Sequence, residues 1–156
     1  MMRIMFVCHG NICRSPMAEF ILRDMAKKEG IELVVSSCAT SEEEIWNGVG
    51  NPVYPPAREE LAKHGLSCEG KRAVQLQKGD YGRYDLFVGM DSANVRNMHR
   101  IFGSDPDGKI KKLLDYTARG GDVADPWYSN RFDVAYRDIF DGCRAIMNLL
   151  KEGKSL

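Results

Sequence analysis

The sequence predicts an α/β fold, a single three-layer α/β/α domain in which helices cover both faces of a four-stranded parallel sheet. Short apolar segments of strand-forming residues alternate along the chain with longer segments of helical periodicity. Strands that alternate with helices are typical of parallel sheets, because each crossover connection needs room for a helix. With 156 residues, 44% of them hydrophobic, the chain can form one core, and we expect residues 1–156 to form one domain.

The predicted fold consists of four strands and four helices. Strands are predicted over residues 3–7, 31–36, 85–89 and 109–114. The first helix is predicted to begin after Ser15, as its N-cap, with Pro16 in the first turn and Gly30 at its end. Further helices are predicted over residues 55–64, 92–102 and 132–151.

Charge and composition exclude several classes of partner. The 22 basic and 22 acidic residues balance, so we expect no broad contact with nucleic acid or an anionic membrane surface, and any anion site must be local. No apolar run has the length of a membrane span, and from the composition of the first residues we expect no signal peptide there. The expected location is the cytoplasm, where the five cysteines should be thiols.

Within the segment "VCHGNICRS" (residues 7–15), Cys8 to Arg14 follow the first strand, at the sheet edge where α/β folds place their sites. A zinc site would need about four ligands, and only His9 lies near Cys8 and Cys13, so no metal is expected. The GxxxxGK[ST] pattern of nucleotide-binding loops is absent.

An oxyanion site accounts for each residue of this segment. Backbone N–H groups between a strand and a helix can surround an oxyanion, and Gly10 and Asn11 tolerate the backbone angles that such a loop requires. The planar fork of Arg14 can bind two phosphate oxygens, and the same field stabilises a nucleophilic thiolate at Cys8. Ser15 would either cap the helix or donate its hydroxyl to the Cys8 sulfur, and the sequence leaves both roles open.

A general acid is expected in "ADPWYSNRF". Asp125 precedes a proline and could protonate a leaving oxygen, while Trp127 and Tyr128 could wall a cleft for a flat ring. Asp-Pro is also a common turn pair, and Asp105-Pro106 is another in this chain, so Asp125 alone is more typical of a turn.

"VCHGNICRSP" together with "DPWY" resembles the low-molecular-weight protein-tyrosine phosphatases, over essentially the whole chain. The resemblance implies a phosphotyrosine phosphatase I-like fold and hydrolysis of phosphotyrosine proteins or aryl phosphates, with inorganic phosphate as product. Cys8 would form a phosphocysteine, Arg14 would hold the phosphoryl oxygens, and Asp125 would act as general acid and then base. No cofactor would be needed, and we expect a monomer.

The resemblance also implies a set of substrate-binding residues in the loop and around the cleft: His9, Gly10, Asn11, Ile12, Cys13, Ser15, Trp46, Trp127 and Tyr128. Cys13 would either form a reversible disulfide with Cys8 or serve as a packing residue, and Ser37 would support the loop. The Glu42, Glu43 and Glu44 triplet is interpreted as a solvated segment rather than a rim of the cleft.

One departure from the family pattern concerns Lys71. Bacterial relatives usually have a histidine there that helps to hold the loop asparagine, so the network around Asn11 is predicted to differ in this chain.

Three alternatives stay open. Arsenate reductases on this scaffold need further cysteines, and residues 80–90 contain none. Phosphoarginine phosphatases tend to have a smaller residue where this chain has Ile12. A non-catalytic phosphate-binding protein would not require Cys8, Arg14 and Asp125 together.

Overall fold

The structure, a computed structural model, describes residues 1–156 and contains six strands. These are β1 (Met2–Cys8), β2 (Leu33–Ala39), β3 (Ile45–Trp46), β4 (Val49–Gly50), β5 (Leu86–Gly89) and β6 (Ile110–Lys112). Four of them form a parallel sheet in the order β2-β1-β5-β6, while β3 and β4 form a separate antiparallel hairpin.

Helices cover both faces of the sheet. They are α1 (Arg14–Glu29), α2 (Pro55–Lys63), α3 (Ser92–Phe102), α4 (Pro126–Ser129) and α5 (Phe132–Lys151). Helices α1, α2 and α5 pack together on one face, and α3 packs on the other. The predicted three-layer α/β/α architecture is confirmed. None of the helices combines the length and the apolar character that crossing a bilayer requires.

The central strand β1 is apolar on both faces because both faces are covered. Ile4 and Phe6 belong to the cluster formed with α1 and α5, whereas Met5 and Val7 belong to the cluster under α3. Full burial of such side chains contributes roughly 1.5–3 kcal/mol each. Because side chains alternate along a strand, Cys8 follows Phe6 onto the α1 face, at the carboxyl edge of the sheet.

The structure corrects the predicted start of the first helix. Helix α1 begins at Arg14 with Cys13 as its N-cap, so Ser15 lies in the first turn and is not the cap. The side chain of Ser15 is fully buried and faces Cys8. Sequence patterns favoured Ser15 because serine is a frequent cap, but here its hydroxyl is used by the loop.

Sequence analysis did not predict the β3–β4 hairpin. Asn47 and Gly48 join its strands with φ values of 48° and 77°, which is the geometry of a type I′ turn. An Asn-Gly pair is a strong hairpin signal, so this element could have been found.

Candidate active site

Residues 8–14, here called the phosphate loop, connect β1 to α1 at the carboxyl edge of the sheet. Asn11 has a φ of 59°, in the left-handed region that asparagine adopts more readily than most other residues. A cleft opens above the loop. Its lining consists of Cys8, His9, Gly10, Asn11, Ile12, Cys13, Arg14, Glu43, Glu44, Asp125, Trp127 and Tyr128.

The sulfur of Cys8 lies at the base of this cleft with two hydrogen-bond partners. Its Sγ is 2.9 Å from Ser15 Oγ and accepts a hydrogen bond of 3.3 Å from the backbone N–H of Asn11. Ser15 Oγ itself accepts from Asn11 Nδ2 at 2.8 Å, so its hydroxyl proton is available either to the sulfur at 2.9 Å or to the more distant Cys38 carbonyl at 3.5 Å. Donors aimed at sulfur stabilise a thiolate.

The second cysteine of the loop, Cys13, is buried. Burial raises the pKa of the Cys13 thiol, and the neighbouring Cys8 raises it further. Burial likewise raises the pKa of Cys143. Cys8 and Cys13 are both free in the structure. Cys13 therefore remains a protonated thiol at neutral pH.

Arg14 is buried beside the loop and held by fixed partners. Its Nη1 donates to Asp91 Oδ2 at 2.7 Å and to the Val123 carbonyl at 2.8 Å. Burial alone would lower the pKa of Arg14, but Cys8, Asp91 and Asp125 outweigh it and raise that pKa. The guanidinium therefore stays charged and fixed. Sequence analysis did not assign Asp91 to the site, although it directly follows the buried strand β5 and Met90.

Asp125 is both a turn residue and a cleft residue. Its Oδ1 accepts from the Trp127 N–H at 3.0 Å and caps α4, while its Oδ2 lies 3.5 Å from Arg14 Nη2. Trp127 packs on Tyr54 with ring centroids 4.9 Å apart. Tyr128 is exposed at the mouth of the cleft.

The structure does not bring every predicted residue to the cleft. Trp46 is 78% exposed on β3 and is not part of the lining. Glu43 and Glu44 line the cleft, contrary to the interpretation of their segment, and His9 Nε2 lies 3.0 Å from Glu43 Oε2. Asn51, directly after the hairpin, donates to the Glu44 carboxylate at 2.8 Å and so holds Glu44 in place.

A network behind the phosphate loop holds Asn11. Asn11 Nδ2 donates to Ser37 Oγ at 2.9 Å, and Asn11 Oδ1 accepts from the Val74 N–H at 3.1 Å. Ser37 Oγ in turn donates to the buried Glu19 at 2.6 Å. Lys71 Nζ donates to the Ser37 carbonyl at 2.9 Å and lies 3.5 Å from Glu19 Oε1. Lys71 is thus connected to Asn11 through its contacts with Ser37 and Glu19. Sequence analysis did not assign Glu19 to this network.

Two further observations concern metals and the remaining cysteines. The structure contains no group of three or more His, Cys, Asp or Glu side chains placed to hold a metal ion. Cys68 is buried and lines a separate cavity with Arg58 and Lys71, not the cleft that contains Cys8.

The fold and the loop define an α/β protein with a buried thiol and a buried arginine in a cleft where β1 connects to α1. The family model for low molecular weight phosphotyrosine protein phosphatase matches residues 3–156. The chain therefore belongs to this family, which confirms the family resemblance and the prediction of a hydrolase.

Relatives and solved structures agree with this assignment. The low molecular weight protein-tyrosine-phosphatase YfkJ of Bacillus subtilis is 35% identical over 158 residues, covering 100% of both chains. A crystal structure of YfkJ matches with a TM-score of 0.92, 34% identity and coverage of 99% and 98%. The crystal structure of SP-PTP, a low molecular weight protein tyrosine phosphatase from Streptococcus pyogenes, matches with a TM-score of 0.83 and 33% identity. The match covers 99% of this chain and 95% of SP-PTP. A structure of the YwlE arginine phosphatase matches with a TM-score of 0.82 and 26% identity, and the match covers 97% of each chain.

Proposed function

We propose that this protein hydrolyses phosphotyrosine in proteins through a phosphocysteine at Cys8. The observation that carries the proposal is the position of the Cys8 sulfur, which lies at the base of the cleft, 2.9 Å from Ser15 Oγ and 3.3 Å from the backbone N–H of Asn11 that donates to it. A thiolate at that point faces the phosphorus of a phosphoryl group bound in the loop, in line with the leaving oxygen.

Two proton transfers complete the reaction. As the Cys8 sulfur bonds to phosphorus and the phosphorus–oxygen bond breaks, Asp125 gives its proton to the departing tyrosine oxygen. The resulting carboxylate then takes a proton from water as that water attacks the phosphocysteine. The sulfur–phosphorus bond breaks, and inorganic phosphate and the Cys8 thiolate are released.

Arg14 and the loop amides stabilise charge on the equatorial phosphoryl oxygens in both steps. Asp91 and the Val123 carbonyl fix the guanidinium before substrate arrives, so little reorganisation is needed in the transition state. The distance of 3.5 Å between Arg14 Nη2 and Asp125 Oδ2 supports a role for Asp125 as the acid that acts beside Arg14.

The cleft favours an aromatic phosphate ester. Trp127 and Tyr128 stand beside its mouth, and Ile12 contributes an apolar wall. The likeness to the YwlE arginine phosphatase makes phosphoarginine the second candidate substrate. Rates on matched phosphotyrosine, phosphoarginine and phosphoserine peptides decide between them, and a preference for phosphoarginine would overturn the substrate proposed here.

Single variants test the mechanism. Cys8→Ser should abolish hydrolysis of phenyl phosphate, and Asp125→Ala should reduce it by roughly 10²–10⁴-fold, with a smaller loss for p-nitrophenyl phosphate, whose leaving group needs less protonation. Mass spectrometry of the quenched wild-type reaction should detect one added phosphoryl group on the Cys8 peptide.

Two control variants match these changes. Cys68→Ser removes a buried thiol away from the cleft, and Asp105→Asn alters the other Asp-Pro pair, so both should retain turnover. Full turnover by Cys8→Ser would contradict the mechanism, as would an equal loss from Asp125→Ala on both aryl esters.

A further inference from the structure

Two glutamates form one side of the cleft mouth, and they are here called the acidic rim. Glu43 and Glu44 belong to the segment between β2 and β3 and line the cleft together with the phosphate loop. The stem of Glu44 packs on the loop, since its Cγ lies 3.2 Å from the point where a Cβ on Gly10 would be. The Glu44 side chain therefore lies against Gly10 of the phosphate loop, at the cleft.

The hairpin holds Glu44 in this position. Asn51, directly after β4, donates from Nδ2 to Glu44 Oε2 at 2.8 Å, and its backbone N–H donates to the Glu44 carbonyl at 2.8 Å. Because Asn51 is neutral, it orients the carboxylate without cancelling its charge. Glu44 is also half-buried, so its charge is screened less than that of a fully exposed side chain.

Positive side chains do not offset the rim. Arg14 is already paired with Asp91 at 2.7 Å and lies 3.5 Å from Asp125. His9 is 3.0 Å from Glu43 and neutralises it only when protonated. Beyond the phosphoryl pocket, the mouth of the cleft is therefore negative, although the whole chain carries no formal net charge.

From this charge distribution we infer that the acidic rim selects phosphotyrosine segments with lysine or arginine beside the phosphotyrosine, and disfavours segments with acidic neighbours. A tyrosine side chain inserted into the cleft leaves its main chain at the mouth, where the flanking side chains reach the rim and the exposed rings of Trp127 and Tyr128. Carboxylates attract ammonium and guanidinium groups there, and aromatic faces add a cation–π contribution. This inference rests on the proposed function and names the substrate class of that site.

Isosteric variants separate the charge of Glu44 from its structural role. Glu44→Gln keeps an oxygen that can accept from Asn51 and keeps the stem on Gly10, so only the charge is lost. If Glu44 merely stabilised the hairpin, Glu44→Gln would leave peptide preference unchanged. Glu42 offers a matched control, because it lies in the same triplet, is exposed and does not line the cleft.

The test compares kcat/KM for phosphotyrosine peptides that differ only in having Lys, Ala or Glu on both sides of the phosphotyrosine. The wild type should prefer the Lys peptide over the Glu peptide, and Glu44→Gln and Glu43→Gln should each reduce this ratio by about two- to fivefold. Glu42→Gln should leave the ratio unchanged. Added salt should reduce the wild-type ratio, because it screens charges at the cleft mouth.

Failure of this inference and failure of the proposed function give different results. The inference is wrong, while the proposed phosphatase activity stands, if the wild type hydrolyses p-nitrophenyl phosphate but has the same kcat/KM for all three peptides. It is also wrong if Glu42→Gln changes the ratio as much as Glu44→Gln does. If the wild type hydrolyses none of these substrates, the proposed function is wrong. Equilibrium binding of the same peptides to Cys8→Ser then tests the rim, and equal affinities would overturn it.

Discussion

Replacing Lys71 by methionine removes an ammonium group behind the phosphate loop while keeping most of the apolar stem. Lys71 is only 12% exposed at its side chain, and it donates to the Ser37 carbonyl at 2.9 Å and lies 3.5 Å from Glu19. After the change, the buried Glu19 retains Ser37 Oγ and Arg23 as partners, but the Ser37 carbonyl loses a charged donor.

The magnitude follows from these contacts. Removal of one partner from a buried ion pair costs about 3–5 kcal/mol when the other charge is left alone. Arg23 also pairs with Glu19, from a half-exposed position, so part of that loss is avoided and we expect about 2–3 kcal/mol of unfolding free energy. For a chain of this size, that loss lowers Tm by roughly 5–10 °C.

Urea denaturation of four proteins measures this effect: the wild type, Lys71→Met, Glu19→Gln and the double variant. If the pair is coupled as the structure indicates, the double-variant cycle should give an interaction energy of about 1–3 kcal/mol. Lys63→Met is the matched control, because Lys63 lies at the same distance of 3.5 Å from Glu60 but is 70% exposed. Lys63→Met should lower the free energy of unfolding by less than about 1 kcal/mol. Additivity of Lys71→Met and Glu19→Gln within about 0.5 kcal/mol would refute the coupling.

Two further substitutions test the β3–β4 hairpin and the hydrogen bonds that Asp105 accepts. A Cβ on Gly50 would lie 1.9 Å from the backbone oxygen of Ala73, so Gly50→Ala should cost about 3 kcal/mol in thermal unfolding, whereas Gly79→Ala meets open space and should cost little. Burial raises the pKa of Asp105, but hydrogen bonds from Tyr81 and backbone N–H groups outweigh this and hold that pKa below its usual range. The stabilisation is therefore complete above the unfolded pKa of about 3.9 and disappears as the pH falls through the folded pKa. Asp105→Asn should lose about 1–2 kcal/mol at pH 7 and converge with the wild type in acid; a constant gap down to pH 2 would contradict this assignment.

Elements with strong local patterns were predicted well. The spans of α3 and α5 agree with the sequence expectation, because their apolar periodicity and the glycine after α3 act within a few residues. Short elements were less well predicted. Strand β6 covers only Ile110–Lys112 and continues into a 3₁₀ turn, and α4 is a single turn set by Asp125 and Pro126.

The position of the loop between a strand and a helix could be predicted because its residues are contiguous. Cys8 and Arg14 are separated by a fixed number of residues between a strand and a helix, so their common location follows from local backbone geometry. Asp125 is different, because an Asp-Pro pair is common in turns and does not by itself indicate a site. Only the fold brings its carboxylate to 3.5 Å from Arg14.

By itself, the sequence determined the α/β alternation, the phosphate loop and its family, since each depends on residues that are near one another along the chain. Tertiary structure alone decided that Ser15 faces the Cys8 sulfur rather than capping α1, and that Glu44 lines the cleft while Trp46 does not. It also decided that Lys71 reaches Glu19, which lies on α1 far away in sequence. The physical reason is that hydroxyl, carboxylate and ammonium groups take the partner that folding places within hydrogen-bond distance, and sequence spacing does not specify that partner.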